Sequence, residues 1–207
     1  MKMNRRGGVL AVCFCVLMGC AAKGERVDIM IPGIATSSAT TGASATGPRV
    51  VVMPFDDARS DRGHLGSRSH FWGGLSYFEL PKGTVGEAAA KALVQQLNKR
   101  GWQATLADQS GGSKPDVTIS GSIQDLSVNA ISKFGYTEIA AKNTMMVRVA
   151  NHGDQSSIQE RVLGSGSDEV FWFDPEDAQQ LVNEVVDKNI EKFLADTKVD
   201  GRAVRLR

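Results

Sequence analysis

The chain has 207 residues and a formal charge of +1, from 24 Lys and Arg against 23 Asp and Glu. So balanced a surface argues against nucleic acid, whose capture rests on many phosphate contacts, and no nucleic-acid partner is expected. The length allows one domain with a sizeable core.

Lys2, Arg5 and Arg6 make a basic start, and Val9 to Met18 is an apolar run too short to span a bilayer as a finished helix. This is the pattern of an export signal. The run ends in Leu17-Met18-Gly19-Cys20, which resembles a bacterial lipobox. The resemblance implies that residues 1–19 are removed and that Cys20, now first, carries thioether-linked lipid. A plain secretory signal and an uncleaved anchor helix are the alternatives, and Arg5-Arg6 leaves twin-arginine export open. The mature chain would have 188 residues, with 21 basic against 23 acidic side chains. Cys13 and Cys15 would leave with the signal, so no free thiol would remain for a disulfide, thiolate catalysis or a zinc site. Several acyl chains hold a protein at a membrane firmly where one does not, so the expected membrane partner is reached through Cys20. Ala21 after the Cys implies, by the enterobacterial sorting rule, the periplasmic face of the outer membrane.

Val27, Ile29 and Ile31 alternate on one face of an expected first strand that ends at Pro32. Ala35 to Pro48 is almost entirely Ala, Ser, Thr and Gly and reads as a flexible linker. Arg49 to Phe55 carries four consecutive apolar residues and suggests a strand buried on both faces. From Asp56 to about Gly83 little periodicity is visible, except that Gly73-Gly74 between aromatic clusters favours a hairpin. Thr84 and Glu87 have capping-box spacing, and Val85, Ala89, Leu93 and Leu97 form a stripe, which predicts a helix over 85–100 stopped by Gly101. Short strands are expected around Trp102 to Leu106 and over 117–123. A longer one over 138–151 turns at His152-Gly153-Asp154 and returns over 158–166 as an antiparallel partner. Asp174-Pro175 opens a second helix over 175–196, with Leu181, Val182, Val185, Ile190, Phe193 and Leu194 as its buried stripe. The basic tail through Arg202, Arg205 and Arg207 reads as a frayed terminus.

This order predicts an α+β fold, a mainly antiparallel sheet with two helices packed on one face. The expected divisions are a signal over 1–19, a lipidated tether and linker over 20–48, a periplasmic domain over 49–198 and a tail over 199–207.

Asp56, Asp57, Asp61, His64 and His70 gather acids and imidazoles within fifteen positions, and such a loop could bind metal or do acid–base work in a hydrolase. Adjacent Asp56 and Asp57 point to opposite faces of an extended chain, and no spacing matches a metal-ligand pattern, so a polar loop with Asp–Arg pairs is the favoured reading. No catalytic residue, metal or cofactor is expected. Phe71, Trp72, Tyr77 and Phe78 form a candidate partner-binding patch, for which a hairpin covering the core is the plainer alternative. Phe171, Trp172 and Phe173 form a second aromatic group.

The lipobox, a strand running into Asp57-x-Arg59, Leu65-Gly66-x-Arg68, a helix ending near Gly101-Trp102 and a closing helix with Leu194-Ala195-Asp196 together resemble the YajG-type outer-membrane lipoproteins. The resemblance implies a small periplasmic α+β domain without known catalysis, and only the lipidated Cys20 carries over. The expected function is a non-enzymatic lipoprotein that binds an envelope protein or other envelope component. An accessory role in an envelope transport or assembly machine is the alternative.

Overall fold

The computed structural model describes residues 23–31, 47–109 and 114–207. The signal, Cys20 and most of the linker lie outside the described residues. Among the described residues the elements in chain order are β1 (Lys23–Asp28), β2 (Arg49–Val52), β3 (Asp56–Asp57), β4 (Gly66–Ser69), β5 (Leu75–Glu79), α1 (Val85–Lys99), β6 (Gln103–Leu106), β7 (Val117–Lys133), β8 (Tyr136–Asn151), β9 (Ser157–Val170), α2 (Pro175–Asp196), β10 (Thr197–Asp200) and β11 (Ala203–Leu206).

The long strand β7 is the axis of the main sheet. On one edge it pairs antiparallel with β8, which pairs antiparallel with β9. On the other edge β2, β3 and β4 lie beside it in succession, all parallel to it. The segment from Arg49 to Ser69 is thus one broken strand, with β6 flanking β2, and β5 then β1 flanking β4. The architecture is mixed α+β; its longest pairings are antiparallel and both helices contribute to one core.

The core follows from side-chain alternation. Val117, Ile119 and Ile123 of β7 are buried, and so are Leu126, Val128 and Ala130. The change from odd to even positions is made by a bulge between Ile123 and Asp125, where one extra residue returns the apolar side chains to the same face. That break in period is why the strand continues to Lys133 and does not end at Ile123 as the sequence pattern suggests. On β8, Ile139, Ala141, Met145, Val147 and Val149 face the same core.

Both helices begin where their caps predict. Thr84 Oγ1 accepts from Glu87 N at 3.1 Å, and Asp174 and Asp177 form a complete capping box at α2. Gly86 lets α1 start against the chain, because a Cβ there would lie 1.7 Å from the Phe55 carbonyl oxygen. α2 lies close on β9 for the same kind of reason: a Cβ at Gly166 would reach the side chains of Leu181 and Val185 at 3.0 and 3.1 Å.

Three expectations need correction. The first strand spans Lys23–Asp28, so Ile29 and Ile31 are buried just beyond it. In β2 Val50 and Val52 are buried but Val51 is only half-buried, so the strand is not sealed on both faces. The basic tail is not frayed: β10 and β11 form a hairpin in which Val204 is fully buried. Asn151 holds it, accepting from Val204 N at 2.8 Å and donating to Val204 O at 3.0 Å. Arg202 pairs with Asp116, and Arg205 with Asp154.

Candidate functional site

The Asp/His loop is held together by one buried cation. Arg59 donates from Nε and Nη2 to the two carboxylate oxygens of Asp57 at 2.9 and 3.0 Å. Its Nη1 reaches the carbonyls of His64 at 2.9 Å and Leu126 at 3.4 Å, which pins the loop to β7. Burial alone would raise the Asp57 pKa, but hydrogen bonds and charge from Arg59 outweigh it and bring the group below its ordinary value. Asp61 accepts from Gly63 N and closes a turn. His64 stacks on Tyr77 with ring centroids 4.4 Å apart and places Nδ1 3.0 Å from Glu79 Oε1. Asp56 is exposed on β3 opposite Ser122, while Asp57, Asp61 and His64 go to separate local contacts; among the described residues no three metal-ligating side chains converge.

The arrangement nearest to a catalytic triad is His70, Ser76 and Glu25. His70 Nε2 lies 2.6 Å from Ser76 Oγ, which donates to Glu25 Oε2 at 3.3 Å. Here the hydroxyl sits between the imidazole and the carboxylate, whereas nucleophile activation needs the imidazole in the middle. Ser76 is also buried, at 1% exposure. These contacts tie β1 to β5 and to the turn that precedes it.

That turn, residues 70–74 between β4 and β5, carries Phe71 and Trp72 at its tip. It is closed by His70 N to Gly74 O and Gly73 N to His70 O, and Gly73 and Gly74 supply the positive φ values of 89° and 101° that it requires. Trp72 is 94% exposed and meets Phe71 edge-to-face at 4.9 Å. The candidate patch divides at this point. Phe71 and Trp72 are on the surface, but Phe78 is fully buried and belongs to the core, where its ring meets Phe173 at 6.1 Å. Tyr77 is half-buried under His64.

Register brings other aromatics to the same end. Ser69 lies opposite Ile131, so the β4–β5 tip stands beside the β7–β8 turn, where Phe134 is 87% exposed. The Phe71 and Phe134 rings are 6.3 Å apart. Val170 lies opposite Thr137, so Phe171 and Trp172, which follow β9, lie at that end too. They are 72% and 83% exposed and contact each other edge-to-face. Phe134 escaped the sequence reading because its turn lay between the strands expected over 117–123 and 138–151, where no element was assigned; an aromatic next to Gly135 was the available cue.

β1 starts at this end as well. Lys23 pairs with Leu75, the first residue after the aromatic turn, and β1 then runs away from it. The opposite end of β7 is charged. Asp116 accepts from Arg49 and, at 3.4 Å, from Arg202, and the Arg49 hydrogen bonds above all hold its pKa far below the ordinary carboxylate range. Asp154 is held low in the same way by Arg205 and Ser156. Seventeen residues of β7 separate the two ends by about 55 Å. Among the described residues no helix is long and apolar enough to cross a membrane.

No protein-family model and no curated protein matches the chain. Solved structures with similar folds include a Xanthomonas campestris protein described as DUF330, at 10% identity and TM-score 0.49, covering 83% of this chain and 95% of that one. The lipoprotein GNA1162 of Neisseria meningitidis is 12% identical at TM-score 0.36, over 68% and 97% of the two chains. The PelC dodecamer of Paraburkholderia phytofirmans is 12% identical at TM-score 0.40, over 70% and 90%. Likenesses of this size carry no argument about what this chain does.

Proposed function

We propose that this chain is a non-enzymatic envelope lipoprotein of the YajG type, anchored through lipid on Cys20 at the periplasmic face of the outer membrane. It acts by binding: its aromatic end holds a component of the envelope. One observation carries the reading. β1 begins at Lys23, three residues after Cys20, at the same end of the sheet as Phe71, Trp72, Phe134, Phe171 and Trp172. Large apolar rings left in water and gathered at one place mark an interaction surface. Of the acids and histidines that could have done chemistry, Asp57, Asp61, His64 and His70 are engaged in local contacts that hold the loop and the hairpin.

Fractionation tests the anchor and crosslinking tests the binding. Cys20→Ala should remove the lipid and deplete the protein from the outer-membrane fraction without loss of fold. A Cys20→Ala variant that stays with the outer membrane, or a native protein recovered only in the cytoplasm, would overturn the reading.

A further inference from the structure

We propose that the component held by the aromatic end is the bilayer itself, so that the domain stands end-on with its aromatic tips in the boundary between headgroups and acyl chains. This rests on the lipidation of Cys20 proposed above. Three tips are level with one another: residues 70–74 between β4 and β5, residues 134–135 between β7 and β8, and the chain leaving β9 at Phe171. The strands β5, β4, β7, β8 and β9 lie in that order at this end, so the tips form a row about 19 Å long at the usual spacing between strands.

Geometry then brings the membrane to them. Three residues of extended chain reach at most about 11 Å, so an acylated Cys20 holds the bilayer surface within that distance of Lys23. Lys23 is adjacent to Leu75 and hence to the Phe71–Trp72 turn. Because β1 runs away from the tips, its first residue, Lys23, is the one that lies nearest them. No such short tether could present the charged end, with Asp116, Arg49 and Asp154, to the same surface.

The chemistry of the row suits that place. Trp combines an apolar ring with an N–H donor and concentrates where hydrocarbon meets water. Two of the three tips carry a Phe–Trp pair, and the third carries Phe134 with Tyr136, over whose ring Lys133 lies at 5.6 Å. Glu169 and Asp168 stand one and two residues back from Val170, and Glu138 lies opposite Glu169. These carboxylates, two to three residues behind Phe171, are about 7–10 Å behind the rings and limit how far the end can sink before they leave water; Lys133 is nearer the tip, where its long stem lets the ammonium stay at the polar boundary beside Glu138. A protein partner would be expected to find a pocket around a central anchor. Separate tips along a line fit a fluid plane instead.

The test uses the full acylated protein with Trp102→Phe, which leaves Trp72 and Trp172 as fluorophores, reconstituted in phosphatidylethanolamine–phosphatidylglycerol vesicles. Lipids brominated near the headgroup should quench most of the emission, lipids brominated near the chain ends much less, and the emission should shift to the blue. Adding Trp72→Phe or Trp172→Phe should leave the remaining ring quenched in each case. Acylated protein that floats with the vesicles while its tryptophans stay unquenched by bromine and open to iodide would overturn the seating alone. Protein that carries no lipid and does not float would overturn the anchor and the seating with it. A photocrosslinker in place of Trp72 that captured one defined envelope protein in cells would assign the end to a protein partner and refute the proposal.

Discussion

Replacing Asp57 with Ala leaves the Arg59 cation without its counter-charge. The Arg59 side chain is 7% exposed, and half of its four hydrogen bonds in the loop go to Asp57. Breaking a buried pair from one side costs about 3–5 kcal/mol. Because the Asp57 side chain is 24% exposed, water reaches one side of the pair, and the lower figure of about 3 kcal/mol applies. In a domain of this size, where each kcal/mol moves Tm by about 2–4 °C, thermal melting followed by circular dichroism should fall by about 6–12 °C. Arg59→Met should cost less, about 2 kcal/mol, since it removes the cation but leaves the His64 and Leu126 carbonyls without their donor. The double variant should lose less than the sum of the two. The pH dependence has a definite sign. The Asp57 pKa in the fold lies below its ordinary value, so its stabilisation is complete above the unfolded value near 3.8 and is lost as pH falls through the folded one. Asp57→Ala should therefore flatten the acid limb of the stability curve. An unchanged Tm would refute the structural role, and a raised Tm would be the mark of a carboxylate kept for function at the expense of stability.

Gly86→Ala should cost more than about 3 kcal/mol by denaturant titration, since its Cβ would overlap the Phe55 carbonyl and force the start of α1 off the sheet; a loss under 1 kcal/mol, roughly the scale of a surface change, would contradict that packing. Asn151→Ala should free the C-terminal hairpin, with amide exchange faster over 197–206 and little changed in β7 and β8, at a cost of about 2 kcal/mol for the buried Val204 groups left unpaired. Asp174→Ala should cost about 1 kcal/mol through loss of the α2 cap. Acidification should loosen the same hairpin: Asp154, and to a lesser degree Asp116, bind its arginines with lowered pKa values, so their stabilisation is complete above the unfolded value near 3.8 and is lost as pH falls through the lower folded values, visible as faster exchange of the hairpin amides.

The helices were legible because their information is local. Thr84, Gly101 and the Asp174-Pro175 start announce their ends, and the apolar stripes between them have one period. The second half of β7 was not, since the bulge after Ile123 reverses the parity of the pattern. β4 was not legible either: Gly66-Ser67-Arg68-Ser69 has no apolar residue and is a strand only because β7 and β5 lie on both sides of it. The C-terminal hairpin depends on Asn151, fifty-three residues before Val204, and a short basic segment does not reveal such a partner. At the candidate site, the aromatic character of Phe71 and Trp72 was plain, but exposure was not, and Phe78, seven residues on from Phe71, is in the core. The gathering of Phe134, Phe171 and Trp172 beside them is a product of strand register, which a linear pattern does not encode.

The intact mass of the protein extracted from outer membranes tests the central claim most directly. The account predicts a chain that begins at Cys20, lacks residues 1–19 and carries the added mass of a diacylglyceryl group and an amide-linked acyl chain, all of it lost in Cys20→Ala. A chain that begins at any other residue, or an unmodified Cys20 in membrane-bound protein, would contradict it.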